Sequence, residues 1–177
     1  REVVFNPLKE LPDGSYEMDF DNLEAVCDPK CKLLILSNPH NPAGRVWSRE
    51  ELVRMGEICQ RHDVFVIADE IHCEFTNDVA YTPFASVSDT QCAVCVSPSK
   101  AFNIAGLQIA NIIVQNDSMR QAVDRAININ EVCDVNPFGV IALQAAYTSE
   151  GEEWLTQLNE YIYGNYRFVC EYIAEHL

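Results

Sequence analysis

Positive charge, long apolar runs and flexible linkers are all scarce in this sequence. Its 177 residues contain 12 Lys and Arg against 27 Asp and Glu, for a formal net charge of −15. Nucleic acids are bound mainly through Lys and Arg that displace counterions from phosphates, so this charge argues against a nucleic-acid partner. No apolar run approaches the roughly 20 residues that cross a bilayer, and no Gly/Ser-rich or repeated tract is present. We therefore expect a folded protein that binds neither nucleic acid nor membrane.

The start and the length of the chain also narrow the possibilities. The first residues, Arg1 to Phe5, lack the basic and apolar order of a signal peptide, so we expect a cytoplasmic protein. A chain of 177 residues is long enough for one compact domain with its own core. We therefore expect a single domain over residues 1–177.

Cysteine is plentiful, but its arrangement is not that of a disulfide-rich secreted protein. The eight cysteines lie mostly in apolar stretches, which favours reduced and buried thiols. Cys92 and Cys95 have the spacing of a zinc or redox pair, but they fall in an apolar run that reads as a strand. Residues three apart on a strand point to opposite faces. We therefore predict no metal site.

Three apolar runs predict three buried strands. The runs are 33–36, 64–68 and 93–96. Between the first two, Ser48 and Glu51 have the spacing of a capping box, and Leu52 begins a helical apolar pattern that continues toward His62. Strands that alternate with helices imply right-handed crossovers and a mainly parallel sheet with helices on both faces. The sequence therefore predicts an α/β fold.

The remainder of the chain predicts one more strand and three more helices. Segment 109–114 follows the third strand too closely for a crossover helix, so we expect it to run antiparallel. Asp117 is the expected cap of the next helix, and Pro137 is the expected first residue of the one after it. The predicted helices are 117–128, 137–147 and 152–176.

Polar residues follow the carboxyl end of each predicted parallel strand. Asn41 follows the first strand, Asp69 the second, and Ser97, Ser99 and Lys100 the third. Ligands bind at this edge in open α/β sheets. Taken singly, each residue also has an ordinary structural explanation, because Asn-Pro opens turns, Asp ends strands and a surface Lys is solvated. Their shared position favours a binding site.

Three ordered motifs resemble the class I/II aminotransferase superfamily of fold-type I enzymes that depend on pyridoxal 5′-phosphate (PLP). The motifs are Asn38-Pro39-His40-Asn41-Pro42-Ala43-Gly44-Arg45-Val46-Trp47, Ala68-Asp69-Glu70-Ile71-His72 and Ser97-Pro98-Ser99-Lys100-Ala101-Phe102-Asn103-Ile104-Ala105-Gly106-Leu107. The first two look most like the branch of cystathionine β-lyases and cysteine-S-conjugate β-lyases. The resemblance covers nearly the whole chain, and it implies PLP as cofactor, an amino-acid substrate and a homodimer.

The resemblance implies a role for each polar residue of these motifs. Lys100 matches the lysine that forms a Schiff base with PLP and then removes the Cα proton of the substrate. Asp69 would face the pyridine nitrogen and keep it protonated. Asn41 would donate its amide N–H to the phenolic oxygen of the cofactor, and His72 could contact the same region.

The resemblance is less complete at the phosphate and at the ends of the chain. Ser97 and Ser99 would supply hydroxyls to the phosphate. Eight residues after Lys100, where many aminotransferases have a phosphate-binding arginine, this chain has Gln108. Enzymes of this family are considerably longer, so we expect the chain to represent most of a PLP-binding large domain, without an N-terminal segment and a C-terminal small domain.

For the parent enzyme the resemblance implies β-elimination that releases pyruvate, ammonia and a thiol from cystathionine or a cysteine conjugate. Two alternatives stay open. An aminotransferase would use the same Lys100, Asp69 and Asn41 but return the proton to the cofactor. A chain without the two further segments would be a catalytically inactive folded piece. An assay for keto acids separates the first two, since a lyase releases pyruvate without an amino acceptor.

Overall fold

The computed structural model of the chain describes residues 2–76, 79–88, 91–132 and 134–177, so that Cys133 lies outside the described residues. The strands are β1 (Lys9–Glu10), β2 (Tyr16–Glu17), β3 (Leu33–Ser37), β4 (Phe65–Asp69), β5 (Cys92–Val96) and β6 (Asn111–Ile113). The α-helices are α1 (Phe20–Val26), α2 (Arg49–Arg61), α3 (Asp117–Ile129), α4 (Pro137–Ala146) and α5 (Ser149–His176).

The central sheet has the strand order β3-β4-β5-β6. Strands β3, β4 and β5 are parallel, and β6 runs antiparallel to β5. The register places Ser37 opposite Asp69 and Asp69 opposite Cys95, so the three parallel strands end at one edge. Both the mainly parallel sheet and the antiparallel last strand are confirmed. A small antiparallel pair, β1 with β2, lies outside this sheet.

Helix α2 begins where its sequence predicts. The Ser48 side chain accepts a hydrogen bond from the backbone N–H of Glu51 at 3.2 Å, and the Glu51 carboxylate accepts one from the backbone N–H of Ser48 at 2.7 Å. This reciprocal capping box satisfies two amides that the helix leaves unbonded. The buried side chains of the helix recur on one face, at Leu52, Met55 and Ile58. The predicted helix, cap and apolar face are confirmed.

The hydrophobic core lies between helices α1 and α2 and one face of the sheet. Its members include Leu36 from β3, Val66 from β4 and Val94 from β5. Two large aromatic side chains complete it, Trp47 at 1% and Phe84 at 0% exposure. Burial of a side chain of this size contributes about 1.5–3 kcal/mol by removing its apolar surface from water.

The helical cover of the sheet is uneven. Side chains alternate between the faces of a strand, and in β3 the core face carries Leu36 while the opposite face carries Leu33 and Ile35. Ile35 is 73% exposed and Leu33 48% exposed. Ile112 and Ile113 of β6 are also exposed. Within the described residues, α1 and α2 therefore cover one face of β3, β4 and β5, and the helical cover predicted for the opposite face is incomplete at Leu33 and Ile35.

Two helix starts differ from the sequence prediction. Helix α3 is capped by Asn116, whose Oδ1 accepts a hydrogen bond from the Met119 amide at 2.9 Å, so the prediction of Asp117 as cap was wrong by one residue. Asn and Asp cap about equally well, and sequence alone could not choose between neighbours. Helix α5 begins at Ser149, three residues earlier than predicted, because Thr148 caps it through the Gly151 amide. Helix α4 begins at Pro137 as predicted.

Helices α4 and α5 pack against the segments that follow β4 and β5. Gly139 in α4 approaches Leu107 so closely that a Cβ atom would lie 2.9 Å from the Leu107 carbonyl oxygen. Trp154 in α5 stacks on Phe102 with ring centroids 5.1 Å apart. Helix α5 has 28 residues. In the part of the chain that the structure describes, neither it nor any other helix is both long and apolar enough to span a membrane.

Candidate active site

The carboxyl ends of β3, β4 and β5 are joined by backbone hydrogen bonds that continue past the strands. The Asn38 amide donates to the Asp69 carbonyl at 2.9 Å, and the Glu70 amide donates to the Cys95 carbonyl at 2.9 Å. Adjacent strands lie about 4.8 Å apart. The segments that carry Asn41, Asp69 and Lys100 therefore leave the sheet side by side, as the sequence predicts.

A tight hairpin holds Asn41 at this edge. The His40 amide donates to the Arg45 carbonyl at 2.7 Å, and the Gly44 amide donates to the His40 carbonyl at 2.9 Å. Gly44 has φ +65°, in the left-handed region that a residue without Cβ adopts readily. The side chain of Asn41 is exposed at the tip of this loop.

The structure brings Asn41 together with His72. The Asn41 Nδ2 atom lies 3.3 Å from Nε2 of His72, which follows β4 in a turn. Since Nδ2 carries two hydrogens, it can donate one to a neutral imidazole and keep the other for a ligand. His72 is therefore placed to orient the Asn41 amide.

Asp69 is the last residue of β4, and its side chain is exposed. One carboxylate oxygen, Oδ1, accepts a hydrogen bond from the Ile71 amide at 3.2 Å. This contact holds the side chain against the turn that leads to His72. The exposed carboxylate remains accessible to a cationic or N–H group of a ligand.

The hydroxyl groups of Ser97 and Ser99 are turned toward the protein. Ser97 Oγ donates to the Ile109 carbonyl at 2.6 Å, lies 2.5 Å from Ser99 Oγ and accepts a hydrogen bond from the Ser99 amide at 3.1 Å. Both side chains are buried. These bonds fix the turn that precedes Lys100. Direct binding of phosphate by the two hydroxyls stays a prediction, and it requires the Ser97–Ser99 contact to open.

Lys100 lies in a turn that is hydrogen-bonded on both sides of it. The Phe102 amide donates to the Pro98 carbonyl at 2.9 Å, and the Ile104 amide donates to the Ser99 carbonyl at 3.1 Å. The Lys100 side chain is exposed. Gln108, which replaces the expected arginine, is also exposed and has φ 50°. The lysine amine is thus available to a ligand at the sheet edge.

A buried polar cluster under the edge was not predicted from the sequence. Glu70 is 1% exposed and Asn38 0% exposed. Glu70 Oε1 accepts hydrogen bonds from Asn38 Nδ2 at 3.0 Å and from the Phe84 amide at 2.8 Å, and Oε2 accepts one from the Tyr81 hydroxyl. Burial, together with the Glu70 carboxylate, raises the pKa of Tyr81. Asn38, Phe84 and Tyr81 lie 32, 14 and 11 positions from Glu70 in the sequence, so no local sequence pattern could indicate these contacts.

His40 and Cys95 are two further titratable groups near the edge whose pKa values are shifted by burial. The His40 ring packs edge-on against Trp47 with ring centroids 5.7 Å apart. Burial lowers the pKa of His40, so the neutral imidazole is favoured. Burial, followed by the negative charge of Asp69, raises the pKa of the Cys95 thiol. Cys95 is therefore a protonated, unreactive thiol at neutral pH.

The groups exposed at the edge match the functional groups of PLP. They are a primary amine on Lys100, a carboxylate on Asp69 and an amide N–H on Asn41. An amine reacts with an aldehyde, a carboxylate pairs with a protonated pyridine nitrogen, and an amide N–H binds a phenolate oxygen. The donor set therefore fits PLP at its ring, while the inward-turned serine hydroxyls leave the phosphate with fewer contacts.

Comparison with known proteins identifies the family. Residues 2–176 match the family described as aminotransferase class I and II, and the chain belongs to it. Cystathionine beta-lyase PatB of Bacillus subtilis is 45% identical over 170 residues, which cover 93% of this chain and 43% of that protein. This family also confirms the resemblance drawn from the three motifs.

Solved structures agree in fold. The PLP-bound putative aminotransferase from Clostridium difficile 630 superposes with a TM-score of 0.92 at 37% identity, covering 99% of this chain and 46% of that one. The PLP-bound C-S lyase from Staphylococcus hominis gives 0.86 at 40% identity, covering 97% and 44%. The predicted fold class is confirmed, and the chain spans less than half the length of each of these relatives.

Proposed function

We propose that the chain is the PLP-binding part of a carbon–sulfur β-lyase that releases pyruvate, ammonia and a thiol from cystathionine or a cysteine conjugate. The observation that carries this proposal is the exposure of Lys100, Asp69 and Asn41 at one edge of the sheet. The likeness to the B. subtilis cystathionine beta-lyase supports the lyase branch. The cytoplasmic location expected from the sequence is part of the same proposal.

In this proposal Lys100 and Asp69 each act on a different proton. PLP, when bound, supplies an electron-accepting ring that stabilises negative charge on the substrate Cα. Lys100 Nζ is the amine that attaches the cofactor and, once released, takes the proton from Cα. The Asp69 carboxylate holds a proton at the pyridine nitrogen, since a carboxylate beside a cationic group favours its charged form.

Asn41 and His72 act together in this proposal. His72 Nε2 lies 3.3 Å from the Asn41 amide nitrogen, within reach of one of its two N–H groups. The second N–H remains for the phenolic oxygen of the cofactor. His72 then has its effect mainly through the orientation of Asn41.

Ser97 and Ser99 hold the turn that carries Lys100, and they are also the proposed phosphate contacts. Because Gln108 is neutral, it provides no charge to hold a phosphate. We therefore expect the chain by itself to bind PLP loosely.

The second candidate function is that of an aminotransferase. The observation in its favour is the fold similarity to the C. difficile putative aminotransferase. Both reactions begin with loss of the same Cα proton, so Lys100, Asp69 and Asn41 serve either one. The parent enzyme should be assayed for pyruvate formed from cystathionine with no amino acceptor present. Pyruvate release supports the lyase, whereas a strict need for a keto-acid acceptor would assign the aminotransferase.

Asp69→Ala in the parent enzyme tests the site. We expect kcat to fall by more than about tenfold, or more than ~1.4 kcal/mol, because the ring nitrogen loses its anionic partner. The matched control is Asp21→Ala, which removes a carboxylate whose side chain is 90% exposed, and it should leave the rate unchanged. Equal turnover by the Asp69 variant and the control would refute the role of Asp69.

The isolated chain is proposed to be inactive and self-associating, while the parent enzyme is a homodimer. Ile35 and Phe168 are 73% and 66% exposed, and apolar surface of this kind favours association. Sedimentation together with the pyruvate assay tests both statements. A monodisperse monomer that turns over at roughly 1 per second or faster would contradict them.

A further inference from the structure

Glu70 is a buried carboxylate held by uncharged donors. It is 1% exposed and follows Asp69 directly at the end of β4. Its three hydrogen bonds come from the Asn38 side-chain amide, the Phe84 backbone amide and the Tyr81 hydroxyl. Within residues 2–76, 79–88, 91–132 and 134–177, the salt bridges include no Lys or Arg paired with Glu70.

A carboxylate in this position is costly unless its donors are fixed. Burial removes water from the charged group, and three well-placed N–H and O–H donors offset that loss. The donors come from separate segments of the chain, so satisfying the carboxylate holds those segments in one arrangement. Asn38 also donates to the Thr82 carbonyl at 3.0 Å, which ties the same loop a second time.

Two of the segments joined by Glu70 carry exposed groups of the site. Asn38 precedes Asn41 by three residues in the same loop, and Asp69 is the neighbour of Glu70 along the chain. We propose that Glu70 is a positioning residue that fixes the Asp69 carboxylate and the Asn41 loop relative to each other. This inference rests on the proposed function, in which Asp69 and Asn41 contact PLP.

The alternative is that Glu70 has a purely structural role and does not position Asp69 or Asn41. Glu70 could simply anchor residues 81–84 so that Phe84, at 0% exposure, stays in the core. In that case weakening Glu70 would disturb the 81–84 loop and lower stability, but it would not move Asp69 selectively. The experiment therefore follows Asp69 and Asn41 separately from Phe84.

The first variant is Glu70→Gln, which keeps the size of the side chain and replaces a charged acceptor with an amide. Its matched control is Glu74→Gln, the same change at a half-buried carboxyl four residues on. Should Glu70→Gln fail to fold, Tyr81→Phe removes one donor to the same carboxylate and leaves its charge in place.

Nuclear magnetic resonance of the chain without cofactor gives the first measurement. We expect Glu70→Gln to shift the Asp69 carboxyl-carbon signal and the Asn41 side-chain amide signals, and Glu74→Gln to leave them in place. A change confined to the Phe84 amide and its neighbours would overturn the proposal, because Glu70 would then serve only the loop.

Binding gives the second measurement, with PLP and with its analogue in which the ring nitrogen is replaced by C–H. We expect Glu70→Gln to weaken PLP about tenfold, or ~1.4 kcal/mol, and to weaken the analogue less, because the analogue keeps the phenolic oxygen for Asn41 but has no ring nitrogen for Asp69. An equal loss for both compounds, or no loss for either, would overturn the proposal.

Asp69→Ala separates this inference from the proposed function. If Asp69→Ala weakens both compounds equally, then the proposed contact between Asp69 and the ring nitrogen is wrong. The resonance measurement still decides the Glu70 proposal in that case, because it reports the position of Asp69 and Asn41 with no cofactor present.

Discussion

The apolar side chains of residues 18–101 are largely buried, whereas many of those in residues 117–177 are exposed. The first region contains nearly all of the core, from Met18 to Val94. In the second, all of whose helical residues are described, α3 has no buried residue and α5 has only Gly151. Two phenylalanines make the contrast plain, since Phe84 is 0% and Phe168 66% exposed. The edge that carries the candidate site therefore belongs to a region with its own core.

The second region depends on the first at a few contacts. Trp154 stacks on Phe102, two residues after Lys100. Asn159 Nδ2 donates to the Glu74 carbonyl at 2.8 Å, in the turn that follows His72. Helix α5 thus supports two segments of the site from outside while much of its apolar surface stays exposed.

Truncation of the two phenylalanines should give the largest difference. We expect Phe84→Ala to lower the free energy of unfolding by about 3–5 kcal/mol, because it leaves a cavity in the core. Phe168→Ala, the same change on an exposed helix face, should cost less than about 1 kcal/mol. Urea unfolding measures both. Similar losses for the two variants would mean that α5 is packed as tightly as the core.

Removal of the helix caps should give a smaller difference. Ser48→Ala is expected to lower the unfolding free energy by about 1 kcal/mol, since it removes the hydroxyl that accepts the Glu51 amide hydrogen bond and leaves only the second bond of the α2 capping box. Thr148→Ala removes a comparable cap from α5, where fraying of the first turn disturbs fewer buried groups. Hydrogen exchange should therefore show local opening at α5 and a global loss at α2. Global destabilisation by both variants would show that the first turn of α5 is coupled to the core as strongly as that of α2.

The pH dependence from His40 should be the smallest effect. Burial lowers the pKa of His40 below its ordinary value of 6.5, so the unfolded chain binds this proton more readily than the folded one. Stability is therefore retained above pH 6.5 and falls as the pH drops from 6.5 toward the folded-state pKa.

The contribution of His40 is isolated by comparison with His40→Gln, which cannot titrate. We expect the difference in unfolding free energy between the two proteins to shift in favour of the variant as the pH falls. A difference that stays constant between pH 7.5 and pH 5.5 would show that the ring titrates as it does in the unfolded chain.

The elements that sequence predicted well are those set by local patterns. The capping box at Ser48 and Glu51 lies within one turn of helix, and the apolar runs of β3, β4 and β5 are continuous. The antiparallel direction of β6 followed from the short connection after β5. Missed elements were short or only weakly patterned, namely the two-residue strands β1 and β2 and the seven-residue helix α1.

The candidate site likewise has residues that local sequence patterns indicated and contacts that they did not. The sequence indicated Asn41, Asp69 and Lys100 because each follows a strand, and the structure places them at one edge. Glu70 escaped notice because its partners Asn38 and Tyr81 are distant in the chain. The inward direction of the Ser97 hydroxyl was equally hidden, since its acceptor is the Ile109 carbonyl, 12 residues away. Long-range polar contacts carry no local signal.

The most direct test of the account is to find which lysine binds the cofactor. The chain is mixed with PLP, reduced with sodium borohydride, digested and analysed by mass spectrometry, with Lys100→Arg as the control. Lys100 is exposed at the edge of the sheet, and Lys30 and Lys32 lie before β3 at the opposite end of the strands. We predict that the cofactor mass appears on the peptide that contains Lys100 and disappears in the variant. Specific label on Lys30 or Lys32 with Lys100 unmodified would contradict the account.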